Sequence, residues 1–144
     1  MKLLKTLFAL ALAAAITALS AMGAEELDTA PAMTAAQAWL THVDAGSYGE
    51  SWDESAAYFQ EKVPKVQWQT SLDTKRTPLG GMVARKIRKA TYARALPNAP
   101  EGEYVVIEFD TAFENLPQST ETVTSMRGKD GSWKVAGYLI KPAP

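Results

Sequence analysis

Cysteine is absent from this chain. That absence excludes disulfides, thiolate nucleophiles, cysteine-based metal sites and a lipid-modified cysteine near the N-terminus. Histidine occurs once, at His42, so a multi-histidine metal centre is excluded as well. Neither sign of charge dominates: 15 Lys and Arg stand against 16 Asp and Glu. A general nucleic-acid binder carries a clear basic excess, and this chain has none. No Gly-x-Ser-x-Gly elbow, Walker loop or dinucleotide fingerprint occurs. No cofactor is therefore expected. Long apolar runs are missing everywhere except at the N-terminus.

There, Met1 to Gly23 has the three parts of a secretory signal. Lys2 and Lys5 form a positive start, Leu7 to Ile16 an uninterrupted apolar stretch, and Ala21-Met-Gly23 a small-residue cleavage motif. Cleavage is expected before Ala24, with Ala18-Leu-Ser20 as an alternative motif. The apolar stretch falls short of the ~20 residues that a membrane-spanning helix needs. A protein that works outside the cytoplasm is implied, with no membrane span after cleavage. What remains suffices for one ordinary domain and not for two. All four tryptophans lie in it, so a core has large side chains to bury.

Residues 24–33 read as a mobile leader and residues 34–141 as a single α+β domain. Thr34-Ala-Ala-Gln37 has the form of a capping box. Behind it, Ala36, Trp39, Leu40 and Val43 follow the spacing of one helical stripe, and Gly46 supplies the stop. Ser47 to Glu50 repeats the capping pattern and opens a second helix carrying Trp52, Ala56 and Phe59. Pro64 suits the first turn of a third helix that runs to about Arg76. On that helix Val63, Val66 and Leu72 form the apolar line, and Trp68 falls off it, half exposed.

From Met82 the pattern turns to strands. Val83–Leu96, Tyr104–Phe113, Ser119–Arg127 and Ser132–Ile140 are expected as four hairpin-linked strands, separated by Pro97–Gly102, Glu114–Gln118 and the tight Gly128–Gly131 turn. Helices followed by such a run imply an antiparallel four-stranded meander with the N-terminal helices packed on one face. Val105, Ile107, Phe109 and Phe113 are expected to face the helices. Met126 is expected opposite Trp133, with Val135 and Leu139 continuing that row.

The segments Ala38-Trp39-Leu40, Asp44-Ala-Gly46, Tyr48, Ser51-Trp52, Pro78-Leu-Gly80, Arg85, Pro100-Glu-Gly-Glu-Tyr104, Phe113-Glu114, Glu121-Thr-Val123, Gly131-Ser-Trp133 and Gly137-Tyr138 together resemble domain of unknown function family 4019. The resemblance runs from about Ala35 to Lys141 and rests on order and spacing. It implies a small exported bacterial protein and no particular activity. The order of elements is also similar to that of the cystatin-like and nuclear-transport-factor-like cone-shaped folds, which host enzymes and inert binding modules alike.

His42 and Asp44 could form a general-base dyad, but residues two apart on a helix point in different directions. The charged strand positions carry more. A turn pairing Leu96 with Glu103 sets Lys89 opposite Asp110, Arg85 opposite Glu114 and Thr91 opposite Glu108, all facing away from the core. Glu121 is expected on the same side. This surface is either a solvated sheet face with cross-strand ion pairs or a ligand site, with Arg85 holding an anion between Glu108 and Glu121. Trp68 is the aromatic candidate for ligand contact. The favoured reading is a non-catalytic periplasmic module that binds a small molecule or a periplasmic protein. One alternative is a small enzyme using a pocket carboxylate. Another is a structural protein self-associating as a homodimer through an edge strand.

Overall fold

The computed structural model describes residues 29–144. The signal segment, its cleavage position and residues 24–28 lie outside them.

The first helix, α1, covers 29–44 of the described chain. Ala36, Trp39, Leu40 and Val43 are all buried, as the stripe predicts. Its N-terminal reading needs correction. Residues 29–33 are already helical, so Thr34 lies inside the helix and caps nothing. Ala30, Ala32, Ala35 and Ala36 are strong helix formers, and packing holds the early turn: Ala32 is buried, and its carbonyl accepts the Ser125 hydroxyl at 3.1 Å. The expected stop is real. Gly46 takes φ +75°, its N–H donates to Val43 O, and the Ser47 N–H reaches back to His42 O at 2.8 Å. That pair of bonds is a Schellman motif, and it needs a residue at ease in the left-handed region.

Three short helices follow: α2 (Tyr48–Asp53), α3 (Ala57–Lys62) and α4 (Lys65–Lys75). Ser47 is the N-cap residue of α2, yet its side chain makes no capping bond, and Glu50 pairs with His42 Nδ1 at 3.3 Å instead. The expected second helix is broken between Glu54 and Ala56, because the Ala56 N–H donates to Val135 O on the sheet at 2.8 Å. On α4 Leu72 is buried as expected, but Val66 and Trp68 exchange places: Val66 is 74% exposed and Trp68 only 7%. Trp68 and Leu72, one turn apart, form the buried line. The Trp68 ring meets Phe59 edge-on at 5.0 Å and Trp39 at 6.1 Å. Its indole N–H donates to Ser51 Oγ at 2.9 Å, so the polar edge of this aromatic is satisfied inside the core. A 3₁₀ turn (Thr77–Leu79) leads into the sheet.

Strands β1 (Met82–Ala93), β2 (Tyr104–Phe113), β3 (Leu116–Arg127) and β4 (Trp133–Pro142) form one antiparallel sheet in the order β1-β2-β3-β4. The protein is thus α+β, with N-terminal helices followed by an open four-stranded antiparallel sheet. Val105, Ile107, Phe109 and Phe113 are buried as expected, and Val123 and Val135 join them. The core is the layer between this row and the Trp39, Phe59, Trp68 and Leu72 side chains. Each such burial contributes ~1.5–3 kcal/mol.

The β2–β3 connection is tighter than expected. Only Glu114 and Asn115 lie outside the strands, and Pro117 belongs to β3. Pro117 falls at an irregularity of the β2–β3 ladder, where residues 117 and 118 stand against Ala112 alone, and a residue without an N–H is tolerated at such a bulge.

The register also differs. Arg85 lies opposite Thr111, not Glu114, and Lys89 opposite Glu108, not Asp110. Thr91 pairs with Val106 rather than Glu108. The loop between β1 and β2 is longer than the assumed turn, since pairing stops at Ala93 and Tyr104. Irregularities break the ladder between Ile87 and Lys89, and between Thr124 and Ser125. Each inserted residue reverses which side chains point inward. Hence Tyr138 points into the core and Leu139 is 49% exposed rather than buried, while Met126 faces Lys134 rather than Trp133 because the turn pairs Arg127 with Trp133.

Candidate functional site

Two features stand out around the helix–sheet layer: a buried charge network and an apolar cleft beside it. The network begins with Asp44 at the last turn of α1. A carboxylate there opposes the negative end of the helix dipole, and two arginines compensate. Arg85 of β1 holds Asp44 through both terminal nitrogens, at 2.7 and 2.9 Å. Its Nε donates to Glu121 Oε1 of β3 at 2.7 Å. Arg76, just after α4, reaches Asp44 at 3.4 Å and donates to Gly80 O at 2.6 Å. Its guanidinium lies over the Phe113 ring, 4.4 Å from the centroid.

Glu121 is fully buried. Besides Arg85, it accepts from Thr111 Oγ1 at 2.5 Å and from the Tyr138 hydroxyl. Burial of Arg85 by itself would disfavour its charge. The bonds and charges of Asp44 and Glu121 outweigh this and raise its pKa above the ordinary arginine value. Burial pushes the Tyr138 hydroxyl well above the usual tyrosine range, and the negative Glu121 adds to the shift. Two arginines and two carboxylates thus neutralise one another within hydrogen-bonding distance. Such a set is costly to break at one member, because the partner is left buried and unpaired.

The four candidate site residues separate. Arg85 and Glu121 do meet, but on the helix-covered face and not on the outer face where the expected register put them. The ladder irregularities and the longer loop are the reason. Glu108 stays on the outer face with Lys89 and Thr91, and takes Arg88 at 3.1 Å in a half-exposed ion pair. Trp68 lies elsewhere again, in the core and on the wall of the cleft. Asp44, Arg76 and Tyr138 belong to the network and were not among the candidates. An acidic residue at a helix C-terminus was the available signal for Asp44. His42 turns to Glu50 rather than Asp44, so no His–Asp dyad forms.

The cleft is a space of about 490 Å³ between α4 and the outer edge of β4. Its lining includes Trp68 and Leu72 of α4, Ile140 and Pro142 of β4, and Leu79 and Leu116. Tyr138 lines it too, with its hydroxyl turned to Glu121. Lys75 is the one charged residue of the lining. A shallower hollow of about 350 Å³ touches Arg85 and Thr111 near the ends of the strands. All three guanidinium nitrogens of Arg85 are already engaged by carboxylates, so this hollow gains no free anion-binding group from it. Among the described residues, no cluster of three or more His, Asp or Glu could hold a metal ion. None of their helices is long and apolar enough to cross a membrane.

Fold and site together define a small α+β domain that holds an internal network of paired charges and carries an apolar-lined cleft beside β4. Residues 35–138 match the family model described as protein of unknown function (DUF4019), and the chain belongs to that family. Comparison with curated proteins gives no match.

Proposed function

We propose that this protein is an exported, non-catalytic binding module, periplasmic or secreted, whose ligand seat is the cleft between α4 and β4. The observation that carries the reading is the contrast between its two features. Glu121 accepts from Arg85, Thr111 and Tyr138 and has no exposed surface, and all three guanidinium nitrogens of Arg85 are engaged by carboxylates. The cleft is open and lined mostly by apolar side chains, with Lys75 and Ser71 as polar points. Mostly apolar walls with a few placed polar groups are the usual make-up of a ligand site. An enzyme using Glu121 would need a substrate to reach it, and Tyr138 stands between that carboxylate and the cleft.

The test is a thermal-shift screen of the purified protein against amphipathic metabolites, metals and peptidoglycan fragments. A ligand at about 100 times its Kd adds ~2.7 kcal/mol and raises the midpoint by several degrees. The Ser71→Trp variant fills the cleft without removing a core group, and it should lose the shift while keeping the wild-type circular dichroism. A shift that survives Ser71→Trp would place the ligand elsewhere.

A further inference from the structure

The wall of the cleft formed by β4 is a strand edge, and its backbone is addressable. The Ala143 N–H donates to Gln118 O at 3.0 Å, so residue 143 bonds inward to β3. In an antiparallel pair, residues alternate between those that exchange bonds with the neighbour and those that do not. Lys141 and Leu139 therefore bond to β3 as well, and Pro142, Ile140 and Tyr138 turn their backbone groups away from the sheet. Proline at 142 agrees with this, since at an inward position it would cost a ladder bond. Further along, the edge is already taken: Val135 O accepts the Ala56 N–H at 2.8 Å. The segment before α3 thus closes one half of the β4 edge. The other half, at Tyr138, Ile140 and Pro142, opens into the cleft opposite Trp68, Leu72 and Lys75 of α4.

We infer that the cleft takes an extended peptide segment, which adds to β4 as a fifth strand. This rests on the cleft being the ligand seat. The choice of a peptide follows from the backbone groups. The outward C=O groups of Tyr138, Ile140 and Pro142, with the N–H groups of the first two, are matched by another backbone, and a hydrocarbon chain leaves them unsatisfied. The side chains of such a strand alternate, so one set enters the apolar space between Trp68, Leu72 and Leu116. Lys75, the one charged residue of the lining, complements a carboxylate. The partner is therefore an extended segment with an apolar anchor and an acidic side chain.

A randomised nonapeptide library with amidated C-termini, selected in parallel on the wild-type protein and on Ser71→Trp, tests this. The wild type should enrich apolar, carboxylate-bearing peptides that the filled variant does not. In complex, the amide protons of Tyr138 and Ile140 should exchange several-fold more slowly. Methylating alternate backbone nitrogens of the peptide should abolish binding, and Lys75→Glu, an exposed change that leaves the fold intact, should weaken it. Dodecanoate serves as the parallel probe. Cleft resonances that move with dodecanoate, together with no peptide enrichment over Ser71→Trp, would overturn the peptide inference and leave the binding reading standing. Enriched peptides that leave Tyr138 and Ile140 exchange unchanged would overturn it too. No response to either probe would remove both.

Discussion

Arg85 on β1 and Glu121 on β3 meet at 2.7 Å across the intervening strand, on the face of the sheet that the helices cover. Their contact joins the outermost strand to the C-terminal end of α1, because the same guanidinium grips Asp44. The pair ties three elements with one side chain, and its worth should be measured as a coupled unit.

Glu121→Ala should cost ~3–5 kcal/mol in urea unfolding, because it leaves Arg85 and Tyr138 without their buried acceptor. The double change Arg85→Met with Glu121→Leu should cost clearly less than the sum of the two single changes. Glu108→Ala, which breaks a half-exposed pair with Arg88, should change stability by ~0.2–1 kcal/mol. Equal effects at Glu108 and Glu121 would refute the division of the two carboxylates into solvated and buried.

Trp68→Ala should cost ~3–5 kcal/mol, since it empties the space between Trp39, Phe59 and Ser51. Val66→Ala, two residues earlier on the same helix, should stay within ~0.5 kcal/mol of wild type. The same urea titration decides this. In the wild type, the Trp68 contribution to fluorescence should be poorly quenched by iodide.

Stability should fall in strong alkali through Tyr138. Its hydroxyl is raised above the ordinary tyrosine value by burial and by Glu121, so the folded state keeps the proton longer than the unfolded state. The stabilisation is present below about pH 10, the unfolded-state value, and is lost progressively as pH rises beyond it, because the unfolded chain releases its proton first. Thermal melts between pH 8 and pH 11, on the order of the tyrosine range, should show the decline. Tyr138→Phe should flatten the slope while lowering the neutral-pH midpoint.

On the acid side, the Glu103 carboxylate is held below its ordinary value, first by the bond from Tyr92 and then by Arg127. Its folded form binds the proton later than the unfolded form as pH falls. Its contribution is therefore present at neutral pH and lost as pH drops through the carboxylate range. Carbon-detected titration should place the Glu103 midpoint below the ordinary glutamate value, and Arg127→Ala should raise it.

Gly46→Ala should destabilise by ~1 kcal/mol, the penalty of a side chain in the left-handed region, and Gly46→Asn by less. No atom stands within 4 Å of a β-carbon there. Any cost is therefore conformational rather than steric, and denaturant midpoints for the pair of variants separate the two causes.

The order and kind of the elements were legible in the chain because they depend on local chemistry. The 36-39-40-43 stripe, the stop at Gly46, the β-branched run after Tyr104 and the glycine turn at 128–131 each act within a few residues. Family membership was legible for a similar reason, as an ordered series of short segments. The facing of side chains was decided only in three dimensions. One extra residue in β1, Arg88, and another in β4, Ala136, turn the strands over, and no local signal selects those positions. They are set where the helices close on the sheet, because that alignment buries Tyr138 and brings Arg85 to both Asp44 and Glu121. Trp68 follows the same rule. Helical period alone grouped Leu72 with Val66, and only contact with Trp39, Phe59 and Ser51 selected the face that turned inward. Burial depends on what stands opposite, and that partner lies tens of residues away in the chain.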